Sequence, residues 1–523
     1  MNENMSGRFD YTARVLESTE LCDLSDDYTL PDYMPAIGRV ISCTASVALP
    51  STYLGGGNLE LAGGIRYRLH YESAEDSSLW CAELPSEYDI LIPSERTSDL
   101  PADPSEISGI TEAIAENITA RITAPRRLTV KSRIRLTSDL CRRSEFETAF
   151  RGDVSDMGAL RYLEDDATCS MIASGTSAPI ICKDKITLPE AGLYDGDSFR
   201  IISSRGSVMV NRLEVSDSTL DCRGDVTVSL LIVSDGDRPR RINRKLPFST
   251  EIALNSDASG NLGIRAYGVC PAVSATADED GISLEATALI SAEAVSTAKM
   301  RYIKDIYSKS ADSETATATI SISSPLACFN GNATVSASAP HSELGLDSSM
   351  LPIDCNARVL PNLKCEIAEN GKLTVSGKMK ISVLADNGVE LTPAEFDSDL
   401  KYTADLRDIS PTSPKINAIA SISDTKCRID GDKIYTDCEL CLAILVENVC
   451  EIKTISEVNL TAPSIEKRSG SYITVCYPTK GATLWDIAKK YRTDAFELAE
   501  KNSIALTSPD SPDSLSKTPF LII

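Results

Sequence analysis

Three stretches of this chain place apolar residues at every second position behind a leucine and a glycine four residues apart. The first is Leu59, Gly63, Ile65, Tyr67 and Leu69. The second is Leu220, Gly224, Val226, Val228 and Leu230, and the third Leu373, Gly377, Met379, Ile381 and Val383. A period of two is the spacing of a strand with one face in a core and the other in water. In the first copy that alternation puts Arg66, Arg68 and His70 on the wet face. The leucines at 59, 220 and 373 are 161 and 153 residues apart, the size of a domain with its own core, so each repeat unit is predicted to be a whole module. In each strand the glycine is expected to permit a bulge or a close backbone approach.

The surroundings of each copy extend the same pattern. Leu30-Pro31-Asp-Tyr-Met-Pro35 leads to Arg39-Val-Ile-Ser42 and an alternating strand through Cys43, Ala45 and Val47. Leu188-Pro189 leads to Phe199-Arg-Ile-Ile-Ser203, and Met350-Leu-Pro352 stands ahead of Ala357-Arg-Val-Leu360 as a weaker third version. Asn330-Gly331, Asn370-Gly371, Asn387-Gly388, Asp235-Gly236, Asp280-Gly281 and Asp430-Gly431 are predicted hairpin turns, because these pairs reach positive backbone angles at low cost. Each module closes with a second β unit, for example Ile118–Ile122, the bend Pro125-Arg-Arg127 and Leu128–Leu136. Residues 1 to about 16 read as a mobile lead-in, and Ile107, Ile110 and Ile114 as a short helical stripe. Many short strands between turns predict a mainly β fold of three tandem antiparallel β-sandwich-like modules, spanning 1–150, 151–310 and 311–462.

The alternation stops near residue 463. Residues 463–470 have the composition of a linker, and 471–523 read differently. Tyr472–Cys476 is a predicted strand. Thr483 stands as N-cap ahead of Leu484, Ile487, Ala488 and Tyr491 on one helical face, which makes Trp485 and Ile487 candidate helix core. Asp494 caps a second helix carried by Phe496, Leu498, Ala499 and Asn502, and Pro519–Ile523 forms a returning strand. The result is a small βααβ domain.

Composition then narrows the function. The net charge is −24, while residues 471–523 hold six Lys/Arg and six Asp/Glu, so the acidic excess lies wholly in the β modules. Such a surface repels phosphate backbones and anionic lipid, which argues against nucleic-acid and membrane-surface partners. The longest pure apolar run, Cys441–Val446, is too short to cross a bilayer, and no basic, apolar leader is visible at the N-terminus; a cytoplasmic location is expected. Aromatic residues are only 5% of the chain against many Ser, Thr and Ala, so the modules should depend on mutual packing; an elongated row is expected. The 16 cysteines are scattered, as small buried hydrophobes would be.

Chemistry-bearing patterns are sparse. His70 and His341 are the two histidines, one on a strand face and one in a polar loop, and both read as structural or solvated. Cys438 and Cys441 have zinc-like spacing, but residues three apart on a strand point to opposite faces. Gly55-Gly56-Gly57 lacks the Lys-Ser/Thr of a phosphate cradle. No catalytic residue, metal ligand or cofactor is therefore assigned, and no enzymatic activity is expected.

Gly481-Ala-Thr-Leu-Trp485-Asp-Ile-Ala488-Lys-Lys-Tyr491 resembles the LysM domain. That resemblance implies a ligand groove lined by Gly481, Ala482, Thr483 and Leu484 on one side and Asn502, Ser503 and Ile504 on the other. Two features depart from the family. Ala482 replaces a polar residue on the sugar face, and Ser516-Lys517-Thr518 stands where a Gly-Gln pair is usual. With the tail in view, Leu30-Pro31-Asp-Tyr-Met-Pro35 and the Leu-x-x-x-Gly strands resemble the SPOCS domain of endospore-forming bacteria. SPOCS modules followed by a LysM domain are similar to spore-coat morphogenetic proteins of the SipL type. The resemblance implies a non-catalytic scaffold in the mother-cell cytosol at the forespore surface, whose LysM domain binds the ATPase of the coat's basement layer (SpoIVA type). The LysM groove alone implies the alternative, a cell-wall protein that binds peptidoglycan, N-acetylglucosamine or a chitin-like glycan.

Overall fold

A computed structural model describes residues 7–523, except 98–99, 102, 152–158, 195–197, 235–237, 259, 261, 348, 407–411, 463–472, 480, 506–507, 512–514 and 516–517. The chain is mainly β, in several antiparallel sheets. The expected linker 463–470 and the Asp235-Gly236 turn lie outside the described residues.

The three repeated stretches are the central strands of three sheets. Asn58–Ser73 lies between Ile37–Val47 and Leu79–Ile92, Thr219–Ser234 between Phe199–Ser216 and Arg240–Ala253, and Lys372–Asp386 between Leu351–Val359 and Leu391–Asp405. Each of these inner sheets faces an outer one. The first outer sheet is Arg8–Thr29, Arg127–Glu147 and Ile107–Ala124. The second pairs Leu160–Thr176, Ile180–Thr187 and Gly263–Asp278 with Gly281–Ser308, and the third pairs Asp312–Pro340 and Pro414–Asp430 with Lys433–Thr461. A core fills each gap, with Tyr67 and Leu69 meeting Val130 and Ile134, Val226 and Val228 meeting Ile282 and Leu284, and Ile381 and Val383 meeting Leu440 and Leu442.

The glycine of the repeat is a close-approach position. Gly63, Gly224 and Gly377 stand opposite Tyr88, Phe248 and Leu400. A Cβ at Gly63 would lie 2.5 Å from the Tyr88 hydroxyl, and one at Gly224 only 2.1 Å from the Met209 carbonyl and 2.8 Å from the Phe248 ring. At Gly63 and Gly224 the partner ring lies over the bare backbone, and at Gly377 the close neighbour is the Leu363 side chain, 2.7 Å from an added Cβ.

Several expectations change. The lead-in is ordered from Arg8, because the strand Arg8–Thr29 pairs along its length with Arg127–Glu147. Ile107, Ile110 and Ile114 lie on a strand, Ile107–Ala124, whose ladder partner overrides their helical spacing. Asn330-Gly331 is no turn. It sits inside Asp312–Pro340, and the Asn330 side chain accepts from the Ala266 N–H at 2.8 Å and donates to the Ala266 carbonyl at 3.0 Å, clipping the third sheet pair to the second. In the third pair the counterpart of Arg39–Ser42 is Leu351-Pro352-Ile353-Asp354 rather than Ala357–Leu360. The register shift that bulges Ile41 and Ile202 falls at Ile353.

The sheet pairs form a closed group instead of a row. Arg39 donates to the Leu391 carbonyl at 2.8 Å, joining the first inner sheet to the third, and Arg200 donates to the Leu79 carbonyl at 2.9 Å, joining the second to the first. At the third junction Leu351 replaces that arginine, and Arg241 donates instead to the Cys355 and Thr425 carbonyls, both at 2.7 Å. The repeated Arg-x-x-Ser is thus the seam between neighbours. The face predicted to be wet is buried there: Arg68 and His70 in the first central strand, and Thr227, Ser229 and Leu231 in the second. Ser, Thr and Ala leave little thickness on that face, so the sheets come together across it.

Behind the bulged isoleucines, Ser42, Ser203 and Asp354 occupy one equivalent position in the three sheets. The His70 ring bridges the first two, with Nδ1 3.2 Å from Ser42 Oγ and Nε2 2.9 Å from Ser203 Oγ. Asp354 holds Arg205 through two oxygens at 2.5 and 2.6 Å. Deeper still, Asp139, Glu293 and Glu447, one from the closing strand of each pair, gather with Arg14, Arg265 and Lys415.

Two outcomes follow from this packing. Gly224→Ala should lower the unfolding free energy by about 1–3 kcal/mol in a denaturant titration, while Gly64→Ala, whose Cβ meets nothing within 4 Å, stays within about 0.5 kcal/mol of the parent. Burial pushes the His70 imidazole down to about 4. Its contribution to stability is complete above about pH 6.5 and is lost as pH falls from there through the folded value. Between pH 7 and 4 the parent should lose about 3 kcal/mol more than His70→Gln. Parallel slopes for the two proteins would show that His70 titrates freely.

Candidate functional site

The tail folds as a two-stranded sheet, Val475–Cys476 with Leu521–Ile522, and two helices, Leu484–Tyr491 and Ala495–Lys501. Both predicted N-caps are in place. Thr483 Oγ1 accepts from the Asp486 N–H at 3.1 Å, and Asp486 Oδ2 accepts from the Thr483 N–H at 3.2 Å, a reciprocal box that satisfies two donors at the helix start. Asp494 Oδ1 accepts from the Phe496 and Glu497 N–H groups at 2.8 and 3.2 Å. Leu484, Ile487, Ala488, Leu498 and Ala499 form the core with Leu521. Phe496, expected on the buried face, points to solvent, and Ala495 is buried in its place.

The seven predicted groove residues are distributed as follows. Gly481 is exposed at φ +87°, and a Cβ there would meet nothing within 4 Å. Ala482, Leu484 and Ile504 belong to one apolar cluster, with Leu484 fully buried. Thr483 is committed to Asp486. Asn502 donates to the Leu498 and Ile522 carbonyls, both at 2.9 Å, and accepts from the Ile522 N–H at 2.7 Å, so its amide extends the small sheet as a surrogate strand. Ser503 is exposed at φ +53°. Of the hydrogen-bonding side chains in this set, those of Thr483 and Asn502 are engaged within the domain. The Ser516 and Lys517 positions lie outside the described residues.

Trp485 is buried in the helix core, as expected, and also reaches the body. Its ring packs edge-on to Tyr307 with centroids 4.8 Å apart, and Nε1 donates to Asp305 Oδ2 at 2.8 Å. Lys489 Nζ reaches both oxygens of Asp305 at 2.7 Å, Tyr307 Oη donates to the Thr493 carbonyl at 2.6 Å, and Lys304 pairs with Asp510 at 2.9 Å. Arg161 also pairs with Asp494, and Arg492 with Asp312. Burial alone would raise the Asp494 carboxyl, yet Arg161 and the two N-cap amides outweigh it and hold the group below the ordinary aspartate value. Burial next to Asp494 pushes the Tyr307 phenol up to about 12, so it remains a neutral donor. Sequence reasoning missed this contact, because Asp305 and Tyr307 sit at the end of a long strand with nothing local to mark them.

The outer face of the small sheet is apolar and open. Val475 and Ile522 are directly opposed and exposed, flanked by Ile473, Phe520 and Tyr477, which is 74% exposed. Cys476 and Leu521 face inward. Among the described residues no group of three or more His, Cys, Asp or Glu could hold a metal ion, and no helix is long and apolar enough to cross a membrane. No protein-family model, curated protein or solved structure matches the chain.

Asp305→Ala should release the tail from the body. It removes the partner of Trp485 Nε1 and of Lys489, and hydrogen bonds involving a charged group contribute about 1.5–3 kcal/mol each. In a Trp80→Phe background, which leaves Trp485 as the remaining tryptophan, emission should shift to the red while far-UV circular dichroism is unchanged. Unshifted emission would mean that Asp305 does not hold the tail.

Proposed function

We propose that this protein is a non-catalytic scaffold of the endospore coat: a three-module SPOCS-like β body carrying a LysM-like tail that captures the coat's basement ATPase at the forespore surface. The observation that carries the protein-binding part of this reading is the exposed apolar sheet face of Ile473, Val475, Tyr477, Phe520 and Ile522, on a domain with no net charge of its own. An apolar patch rimmed by polar groups suits a protein surface. The spent side chains of Thr483 and Asn502 weigh against the alternative, a peptidoglycan reader. The family assignment itself rests on the motif Gly481-x-Thr-Leu-Trp485 and on the repeated strands.

The body adds reach and rigidity. Because the tail is pinned by Asp305, Tyr307 and Arg161, its apolar face is presented at a fixed angle to an acidic mass. If the ATPase is polymerised, weak single contacts are multiplied by effective concentration.

The test is co-sedimentation with the purified, polymerised ATPase. Intact protein should pellet with the polymer, and protein lacking residues 463–523 should stay in the supernatant. Tyr477→Ser combined with Phe520→Ser should reduce pelleting at least tenfold without changing the thermal midpoint. Undiminished pelleting of the truncated protein would overturn the assignment, and binding to purified peptidoglycan in place of the ATPase would favour the glycan reading.

A further inference from the structure

Between the three inner sheets lies a cavity of about 530 Å³ whose walls come from all three sheet pairs; it is bounded by Arg68 and His70, by Arg205 and Tyr267, and by Asp354 and Arg358. That volume is typical of small-molecule sites. The side chain that does not fit a purely structural account is Arg68, on the first central strand and only 4% exposed. Its Nη1 donates to Ser46 Oγ at 3.0 Å, whereas Nε and Nη2, both shielded from solvent, have no hydrogen-bond partner among the described residues. The nearest carboxylate oxygen, Glu83 Oε1, is 3.9 Å from Nε, and the other oxygen of Glu83 is held by Arg66 at 2.8 Å.

Nε and Nη2 form one edge of the guanidinium, the edge that offers two parallel N–H groups to two oxygens of one anion. Leaving those donors empty in a buried site forfeits their hydration with nothing in return, and the loss is greater for a charged group. The other cavity groups do not answer that need. Arg205 is itself cationic and bound to Asp354, Arg358 donates to the Ala115 carbonyl at 2.9 Å, and His70 is shared between Ser42 and Ser203. Glu112, which also lines the space, is pushed by burial up to about 7, so near neutrality much of it carries no opposing charge. Ser, Thr and Tyr hydroxyls supply neutral hydrogen-bonding groups around the wall.

We propose that the junction of the three sheet pairs is a binding site for a small oxyanion, a carboxylate or a phosphate, received by the Arg68 guanidinium once its Nε–Nη2 edge, covered in this structure, turns into the cavity that Arg68 lines. Because the walls belong to all three sheet pairs, an occupant ties them together at the seam. The site is independent of the tail and of the partner proposed for it.

The experiment uses the full-length protein and observes its two histidines by proton NMR, since His70 lines the cavity and His341 lies elsewhere. Inorganic phosphate, citrate and sodium chloride are titrated separately at constant ionic strength, with calorimetry in parallel. The expected result is a saturable one-to-one isotherm with phosphate or citrate, a shift of the His70 resonances that follows it, an unmoved His341, and no response to chloride. The anion that saturates identifies the chemistry as phosphate or carboxylate. Arg68→Lys, which keeps the charge and loses the two-pronged edge, should weaken binding at least tenfold, as should Arg68→Met. If either variant fails to fold, the His70 titration of the parent protein decides alone. The proposal is overturned if neither anion saturates, if both histidines shift together as for a bulk salt effect, or if a folded Arg68→Met binds as the parent does; a water-filled cavity would give the first of these.

Discussion

Arg265 and Glu293 are each 1% exposed, and a charge that deep must be answered by groups the protein itself supplies. Arg265 Nε donates to Glu293 at 2.5 Å, and its Nη1 reaches the Asn417 side chain at 2.6 Å in the third sheet pair. Around this centre Arg14 of the first pair meets Asp139 and Glu447, Lys415 of the third pair meets Asp139, and Ser170 of the second donates to Glu447 at 2.7 Å. The third sheet pair could not bury Glu447 alone, because its donors, Arg14 and Ser170, come from the other two. Burial raises Glu293 even with Arg265 beside it, and burial would lower Arg265 were Glu293 not there. The cluster therefore adds little net stability by itself. Its effect is to penalise any arrangement in which the sheet pairs separate or slip.

That constraint explains how sheets so poor in aromatic residues hold together. Small side chains on the second face of each inner sheet remove little apolar area apiece, but they let sheets approach closely. The bulged isoleucines Ile41 and Ile202 pack with Leu79, Leu231 and Leu384 at the seam, and Phe9, Met300 and Ile322 form another shared cluster where the long outer strands meet. Polar and apolar layers alternate along the junction. The apolar layers supply cohesion, and the polar layers specify which face meets which.

Much of the fold was legible in the residues. Alternation located the three central strands, and the leucine-glycine spacing fixed their equivalence, because a bare backbone under Tyr88 or Phe248 requires glycine whatever the rest of the sequence does. Thr483 and Asp494 were readable as caps because capping is local. What stayed hidden is non-local. Arg68 and His70 alternate as solvent-facing residues should, and only contact with a second sheet buries them. Asn330-Gly331 has the chemistry of a turn, yet its neighbour Ala266 makes it a clip. At the tail, the groove residues were placed by resemblance, whereas the pinning contacts of Trp485 came from a strand end some 180 residues earlier in the chain.

The seam between Arg39 and Leu391 joins residues separated by 352 positions, and that of Arg14 with Glu447 spans 433. Closing loops of that length costs entropy before any contact repays it, so assembly of the body should be slow and should come last. During synthesis the first sheet pair must wait, with the face that carries Arg68 and His70 uncovered, until the third has emerged. An acidic surface is useful in that interval, since mutual repulsion keeps half-made bodies from pairing with each other across faces built to be covered.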